Sequence, residues 1–445
     1  MKRYVFTTLL LLCALTGFSS AQSRGSYFFE NSLLRSKLNP AFAPKTDYSS
    51  VPVIGSLSVD MVGNVGLENF VYPEGDKNYL FLSDKVSPEF FLQKMQARRD
   101  PYLRERIESD LFGVGMKIGK DGFATAGFSV VSTGNVLLSN ELLRFAKTGD
   151  AGVSRDFFSG GSFQFTGYAA LSVGYSHDLH KLVEGLRAGL RFKLLFGLAA
   201  ANFSLDQMRL QFGESNLSAS TQGNGALSGI AYDAANGLSL SKIGLRNIGA
   251  AVDLGASYRF PLEGLVDNID ISVSVCDLGS IHFKHDLTAL SMNRSFSFSG
   301  ISDLSGDIKE EFEQLISDIK GLTQIDASEG APFTYVLSPS IHAGAAAYLF
   351  QNKLNAGLLY YHAVGYDNLM ASCGYTPFDW LNLGVNWTFL GPASRLGFFA
   401  EFIPKKYVGL FFGMESASWR YNSSYIPIGN CTNSFSFGVN VLFGE

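Results

Sequence analysis

The sequence predicts an all-β protein: a transmembrane antiparallel β-barrel of about 14 strands with an N-terminal hatch and short loop helices. Charged residues make up only 17% of the chain, whereas a soluble domain usually carries about 25%. Apolar residues are spread by alternation, and no stretch after the N-terminus reaches the roughly 18 consecutive apolar residues of a transmembrane helix. Short and long turns also alternate along the chain, as they do in outer-membrane barrels.

Residues 1–21 have the features of a secretory signal peptide. Lys2 and Arg3 form a positive start, Val5–Leu15 is an apolar core, and Ser19 and Ala21 are small residues at the −3 and −1 positions of a cleavage site. The alternative is a short N-terminal anchor helix, but the apolar run is too short to span a bilayer. We therefore expect an exported protein that begins its mature chain with a hatch segment at residues 22–50, followed by a barrel at 51–445.

Charge and cysteine content exclude several classes of protein. Removing Lys2 and Arg3 leaves 33 basic residues (35 − 2) against 40 acidic ones, a net charge of −7, which gives no electrostatic reason to expect nucleic-acid binding. Cys276, Cys373 and Cys431 remain after cleavage; they are far apart and odd in number, so they predict neither a disulfide framework nor a metal site. No cofactor is expected.

The clearest strands lie in the C-terminal third. In Leu381–Phe389 every second residue is large and apolar, and the residues between them are small or polar. Successive side chains of a strand point to opposite faces, so this pattern gives one apolar and one polar face. Phe435–Phe443, Leu396–Phe402 and Val408–Met414 repeat it. The region is predicted to be a run of antiparallel hairpins.

Turn lengths predict which side of the membrane each turn faces. Short turns are predicted at 351–352, 376–378 and 404–406, and longer loops at 415–433 and 300–332. Counting back from a periplasmic C-terminus places the three short turns in the periplasm and both long loops outside the cell. Short periplasmic turns and long outer loops are typical of outer-membrane barrels.

Upstream strands and loop helices are predicted with less regular patterns. The segment 202–241 is interpreted either as two more strands or as a long loop. Candidate strands are Val51–Val62, Leu111–Lys120, Phe123–Ser132, Phe163–His177, Leu186–Gly197, Val252–Phe260, Ile269–Cys276, Asn293–Ser299 and Ser340–Phe350.

Three regions are predicted to be helical. Ser87-Pro88 and Asp100-Pro101 each resemble an N-cap followed by a first turn, which predicts two short helices up to about Glu108. Asn140–Lys147 is a third candidate. Asp303–Lys320 carries an apolar stripe, which we interpret as a loop helix packed on its own barrel rather than as a partner surface.

Charged residues on the polar faces of strands are predicted to point into the lumen, because a charge facing lipid near the midplane costs about 2–4 kcal/mol. Two interpretations remain open: a salt-bridge network that fills the barrel, or a path that recognises a carboxylate or phosphate. Some large apolar residues share the inward parity, so the lumen is not uniformly polar. The charges are Arg187, Arg191, Lys193, Arg259, Glu401 and Glu415; the apolar residues are Leu359, Tyr361, Phe399 and Phe411.

The sequence shows no catalytic motif, so we expect a protein that is not an enzyme. His177 and His180 are three residues apart on a strand, a spacing that points the two rings to opposite faces and disfavours a shared metal. Ser340 and His342 share a strand face, but a catalytic triad requires a mutual geometry that sequence alone does not define. A membrane hydrolase that used Ser340 as nucleophile would lose activity on Ser340→Ala.

Leu38-Asn39-Pro40-Ala41-Phe42, just inside the mature N-terminus, resembles the Asn-Pro-Ala segment of the long-chain fatty-acid channel superfamily, which includes the PorV shuttle protein of type IX secretion. Asp277–Ile281 and the Ala21-Gln22 signal-peptide end look like an uncharacterised Bacteroidota family of that group. The resemblance implies a fourteen-stranded barrel with a hatch, in which Asn39, Pro40, Ala41 and Phe42 would line a hydrophobic ligand path. Phe42 stands where many relatives have glycine.

The resulting hypothesis is a non-enzymatic outer-membrane barrel that binds or passes a hydrophobic small molecule. The alternative is an accessory or carrier barrel for an exported protein or lipoprotein, as in type IX secretion. The expected partners are outer-membrane lipid, a hydrophobic ligand and, under the alternative, a secreted protein or lipoprotein, with no nucleic acid.

Overall fold

The computed structural model confirms an all-β fold and describes residues 24–64, 70–74, 77–95, 100–148, 157–158, 160–212, 217–233, 237–298, 324–404, 406–416 and 432–443. Strands dominate the described chain, and none of its helices is long and apolar enough to cross a membrane. The architecture therefore depends on how the strands pair.

Twenty-four strands and three short α-helices are described, together with one turn of 3-10 helix at Arg24–Ser26. The helices are α1 Arg35–Leu38, α2 Pro88–Met95 and α3 Asn140–Thr148. The strands are β1 Tyr48–Ser50, β2 Leu57–Gly63, β3 Val71–Glu74, β4 Lys77–Leu80, β5 Tyr102–Ile118, β6 Gly122–Leu138, β7 Phe157–Phe158, β8 Gly161–Asp178, β9 Leu186–Phe212, β10 Leu217–Ser228, β11 Ala231–Asp233, β12 Gly237–Ser239, β13 Asn247–Pro261, β14 Val266–Phe283, β15 Leu287–Phe298, β16 Asp326–Glu329, β17 Phe333–Val336, β18 Ser340–Leu349, β19 Leu354–Ala363, β20 Tyr366–Phe378, β21 Leu381–Leu390, β22 Arg395–Phe402, β23 Lys406–Ser416 and β24 Asn433–Phe443.

The barrel wall has 14 positions and is closed. β1 and β2 share the first position, and the others are β5, β6, β8, β9, β13, β14 and β18 to β24. Closure occurs at β2, where Leu57 is opposite Ser109 of β5 on one side and Phe437 of β24 on the other. A closed antiparallel wall satisfies its backbone groups by pairing, which a lipid environment demands.

The wall has an apolar outside and a polar inside, as the alternation predicts. On β21, Val385 is 62% exposed whereas the side chain of its neighbour Asn386 is 6% exposed and points inward. At the end of the wall with the short turns, the ring of Trp380 stacks on Phe378 at 4.9 Å and meets Phe402 at 5.4 Å. An apolar band with an aromatic girdle is the surface of an outer-membrane barrel, and the protein is located in the outer membrane.

The short turns lie at the end of the wall where the last strand finishes, which we take as the periplasmic end. They occupy 350–353, 379–380 and the region after Phe402. The predicted turn at 376–378 is wrong by a few residues, because β20 continues to Phe378 through an irregularity in its pairing with β21. Pro377, which has no N–H to donate to a ladder, lies at that irregularity.

One of the predicted helices is wrong. The segment after Asp100-Pro101 is the start of β5, because Arg104 pairs with both Val62 of β2 and Asn135 of β6. The backbone hydrogen bonds to both neighbouring strands stabilise the extended form more than the Asp-Pro pair favours a helix. The helix after Ser87 is present as α2, with the Ser87 hydroxyl accepting the Phe90 N–H at 3.2 Å. The helix predicted at 303–320 lies outside the described residues.

Two predicted strands differ from their expected form. The strand predicted over Val51–Val62 is interrupted, because residues 51–56 leave the ladder between β1 and β2. The strand predicted at Asn293–Ser299 is part of β15, which pairs with β10 and β16 in a sheet beyond the barrel wall. Within 202–241 the structure supports the two-strand interpretation: β9 continues to Phe212 and β10 returns along it.

Residues 24–47, which we call the plug, fold inside the barrel. Tyr27, Phe29 and Leu38 are almost completely buried although they belong to no wall strand. They pack against inward-facing wall side chains, so the lumen is filled rather than open. One apolar cluster joins the plug to β18, β19 and β20 and contains Tyr27, Phe28, Leu38, Phe42, Ala346, Tyr348, Leu359, Tyr361, Ala363 and Met370.

Candidate functional site

Asn39 fastens the plug to the barrel wall. Its side-chain amide donates hydrogen bonds to the carbonyl oxygens of Ala256 on β13 and Val273 on β14, both at 3.2 Å. Its carbonyl oxygen Oδ1 accepts the N–H of Ala41 at 2.9 Å, which closes a tight turn around Pro40. One buried side chain therefore holds both the shape of this turn and its place on the wall.

Two wall glycines make room for this turn. A Cβ atom on Gly189 would lie 2.0 Å from the carbonyl oxygen of Pro40, and a Cβ on Gly255 would lie 2.0 Å from Oδ1 of Asn39. Any side chain at either position would collide with the plug. The close approach of plug and wall thus depends on glycine at both positions.

Phe42 packs within the plug. Its ring meets Tyr27 edge-to-face at 5.2 Å, and the guanidinium of Arg35 lies 3.7 Å from its centre. The predicted inward parity of Leu359, Tyr361, Phe399 and Phe411 is confirmed, since all four are buried in clusters that include plug residues. That Asn39 to Phe42 touch a ligand stays a prediction.

Eight buried or partly buried charges form what we call the charged belt, which runs between the plug and four wall strands. Its members are Lys37 on the plug, Arg106, Glu108 and Asp110 on β5, Arg191 and Lys193 on β9, Asp253 on β13, and Asp277 on β14. Four cations face four carboxylates, so the belt is neutral overall.

The plug contacts the belt at two places, through the Lys37 side chain and the Ser36 carbonyl oxygen. Lys37 Nζ lies 2.7 Å from Asp110 and 3.8 Å from Glu108. Arg191 donates to the carbonyl oxygen of Ser36 at 2.7 Å. Because the first contact is to β5 and the second is to β9, the belt ties α1 to two different parts of the wall.

The wall part of the belt is continuous. Asp277 lies 3.0 Å from Arg106 and 2.6 Å from Lys193. Asp253 lies 2.9 Å from Lys193 and 3.2 Å from Arg191. Every charge of the belt has an opposite charge as neighbour, which supports the salt-bridge interpretation over a path with free charges for an anionic ligand. Buried charges require such pairing.

The remaining predicted lumen charges do not join the belt. Arg187 pairs with Asp178 of the neighbouring strand at 3.4 Å. Arg259 lies 2.6 Å from Asp270 and 2.5 Å from Glu30 of the plug. Burial alone would raise the pKa of the Glu30 carboxyl, but Arg259 and Lys45 together hold that pKa below its ordinary value.

Glu401 and Glu415 are both buried and inward-facing. Glu401 accepts the backbone N–H of Leu33 at 3.2 Å and the amide of Asn382 at 3.0 Å, so it is a further attachment of the plug. Glu415 accepts the amide of Asn386 at 3.0 Å. The six predicted lumen charges thus all avoid the lipid face: Arg191 and Lys193 share Asp253 in the belt, and the other four make separate contacts.

Several important charges were not predicted from the sequence. Arg24 forms an ion pair with Asp60 and lies over the ring of Tyr361, 4.4 Å from its centre. The two-residue alternation along β5 would have placed Arg106, Glu108 and Asp110 on the lumen side. It was not applied to the start of this segment because a helix was predicted there. Nothing in the sequence indicates which opposite charge each of these residues meets.

A cavity of about 90 Å³ lies between the plug and the first strands of the wall. Belt residues line one side of it, and Ser50, Gly55 and Ser56, at the break between β1 and β2, line another. A volume of this size has room for several ordered water molecules. The cavity therefore extends from the charged lumen to the one place in the first wall position where the ladder is interrupted.

The histidine-serine pair considered from the sequence does not form a hydrolytic site. His342 is completely buried, and the described hydroxyl beside it is that of Ser274 at 3.5 Å, not that of Ser340. Ser274 also donates to the carbonyl oxygen of Leu38 at 2.6 Å. The imidazole lies between the rings of Tyr27 and Tyr361, at 6.0 and 6.5 Å. Its contacts are those of a packing residue under the plug.

Comparisons with known proteins give a matching family model and several similar solved structures. A family model described as "Family of unknown function (DUF5723)" matches residues 40–414. The toluene transporter TodX of P. putida is similar over 92% of this chain and 93% of its own, with 10% identity and a TM-score of 0.42. The monoaromatic hydrocarbon channel CymD is similar over 96% and 98%, with 10% identity and a TM-score of 0.33. No curated protein sequence matches.

Proposed function

The chain belongs to a family of unknown function, DUF5723, and we propose that its barrel passes a hydrophobic small molecule across the outer membrane. The observation that carries the proposal is the cavity between the plug and the break in the wall. The plug fills the lumen, so a route straight through the barrel is closed. A route through the wall ends in the membrane, where a hydrophobic molecule is most stable.

The break is a bulge in the first wall position. Val51 donates to the carbonyl oxygen of Val439, and the N–H of Val439 in turn bonds to the carbonyl oxygen of Ile54 at 2.9 Å. The residues between these two bonds turn outward, and Val53 is 58% exposed with a φ of 70°. The rim of the break is therefore apolar where it faces lipid.

The inner side of the break is lined by small side chains. β2 is opposite β5 down to Ser109, and β1 resumes at Val114, so residues 110–113 of β5 lie beside the break. Ser50 and Gly113 face each other there: a Cβ on Gly113 would lie 3.5 Å from the Cβ of Ser50. Small residues leave space through which an apolar chain can pass once the plug shifts.

A disulfide staple across the break tests the route. The Cβ separation of 3.5 Å between Ser50 and a residue at 113 fits a disulfide, so Ser50→Cys with Gly113→Cys should form one on oxidation. Liposomes that contain the purified barrel should take up a fluorescent long-chain fatty acid faster than protein-free liposomes do. We expect the oxidised staple to reduce this uptake by about ten-fold or more, because it joins the two sides of the break.

Reduction of the same sample is the matched control, since it should restore uptake without changing the sequence. The single variants Ser50→Cys and Gly113→Cys show the effect of each substitution alone. Equal uptake by barrel and empty liposomes would contradict transport. Full uptake by the oxidised staple would contradict the route through the wall.

The second candidate is a carrier barrel for an exported protein or lipoprotein. The observation in its favour is the sheet beyond the membrane: β9 has 27 residues, whereas a strand needs roughly 9–11 to cross. The C-terminal part of β9, Ala200–Phe212, pairs with β10, and β10 pairs with β15. Purification from detergent extracts of native membranes separates the candidates, because a stoichiometric exported protein favours the carrier and barrel alone disfavours it.

A further inference from the structure

Two sides of the barrel that are far apart in the wall touch each other at the extracellular end. β5 occupies the second of the 14 wall positions, and β19 and β20 occupy the ninth and tenth. The ninth position is seven steps from the second in either direction, so the two lie on opposite sides of the lumen. Contacts between them must cross the mouth.

Arg104 makes the polar part of this crossing. Its Nη1 donates to the carbonyl oxygens of Val364 at 3.3 Å and Gly365 at 3.4 Å, in the turn between β19 and β20. The guanidinium carbon also lies 4.7 Å from the centre of the Tyr366 ring. A planar cation is thus held by two carbonyl oxygens and an aromatic face.

Tyr102 makes the aromatic part. Its ring stacks on that of Tyr366 with 5.4 Å between centres and 28° between planes. The N–H of Tyr102 bonds to the side chain of Asn64 at 3.0 Å, and Asn64 also holds the carbonyl oxygen of Asp100. These hydrogen bonds therefore hold in place the end of β5 that carries Tyr102 and Arg104.

The turn on the far side is shaped to receive Arg104. Gly365 has a φ of +74°, a backbone conformation that favours glycine. A Cβ at this position would lie 2.0 Å from Nη1 of Arg104. Both the conformation and the absence of a side chain bring the carbonyl oxygens of the turn up to the guanidinium.

We propose that Tyr102, Arg104 and the turn at 364–366, which we call the clasp, form a gate that closes the extracellular mouth of the barrel. A second crossing supports this: the hydroxyls of Thr133 on β6 and Tyr335 on β17 lie 3.0 Å apart. The clasp consists of contacts made by side chains, and the described residues show no strand pairing between β5 and either β19 or β20. It can therefore open while the wall stays intact, and this holds whatever the barrel carries.

The native Cys276 reports whether the mouth is open. Its side chain lines the cavity between the plug and the wall, where the Leu38 carbonyl of the plug lies 3.5 Å from its sulfur. In a Gly255→Val, Cys373→Ser, Cys431→Ser background, in which the plug is displaced and the clasp alone controls access from outside, intact cells are treated with a charged thiol reagent, and the rate of Cys276 labelling is measured. We expect Tyr102→Ala with Arg104→Ala to raise this rate by about ten-fold over the background protein, because the clasp contacts are lost.

Matched variants separate gating from misfolding. Arg294→Ala removes an exposed pair with Asp326 on the same side of the membrane and should label at the background rate. Each variant is first shown to be a folded barrel by its heat-dependent mobility in gels. A folded clasp variant that labels at the background rate would overturn the proposal, and because no hydrophobic ligand is involved, this outcome is independent of the uptake test.

Discussion

Replacing Asp253 with alanine is expected to destabilise the folded protein by about 3–5 kcal/mol, the cost of breaking a buried ion pair from one side. Asp253 is completely buried and lies within 3.2 Å of both Arg191 and Lys193. Its Oδ1 also accepts the N–H of Asp277 at 2.8 Å. Alanine would leave two buried cations with one fewer counter-charge and a buried N–H without its acceptor.

Urea unfolding in lipid vesicles, followed by tryptophan fluorescence, measures this loss as a change in the free energy of unfolding. Asp253→Asn is the matched control, because it retains an acceptor for the N–H of Asp277 and removes only the charge; its loss should be smaller. Asp326→Ala breaks the exposed pair with Arg294 and should cost at most about 1 kcal/mol. If Asp253→Ala were no worse than Asp326→Ala, the belt would not stabilise the barrel.

Replacing Gly255 with valine is expected to displace the plug. A Cβ there would lie 2.0 Å from Oδ1 of Asn39 and 2.8 Å from Cδ of Pro40, so the turn must move away from the wall. Overpacking of this kind costs about 1–3 kcal/mol, which raises the population of the displaced plug by roughly ten-fold for each 1.4 kcal/mol. Displacement would also break both hydrogen bonds from the Asn39 amide to the wall.

The reactivity of Cys276 in detergent-solubilised barrel measures the displacement. The Cys276 sulfur lies 3.5 Å from the carbonyl oxygen of Leu38, so the plug covers it, and its reaction with a thiol reagent should be about ten-fold faster in Gly255→Val. Gly244→Val is the control, since a Cβ at Gly244 would meet only Arg246 Nε, at 3.5 Å. Equal rates in the two folded variants would show that the turn tolerates a side chain at 255.

The sequence allowed the wall to be predicted because a strand has a strict period of two. In Leu381–Phe389 each residue can face only lipid or lumen, so polarity alone assigns its side. The same reasoning placed Arg191 and Lys193 inside before any contact was known. It failed on β5, where the start signal at Asp100-Pro101 is local, and on residues 51–56, where the alternation continues through a break.

What the sequence by itself determined is the direction of the side chains in the regular strands, such as β21: outward to hydrocarbon or inward to the lumen. Which inward groups meet was decided by the tertiary structure alone. Lys37 and Asp110 are brought together by a plug that folds back through the barrel, and Arg104 and Gly365 by a contact across the full width of the mouth. The physical reason is that alternation depends on one strand and its solvent, whereas partners across a lumen depend on the register of every strand between them.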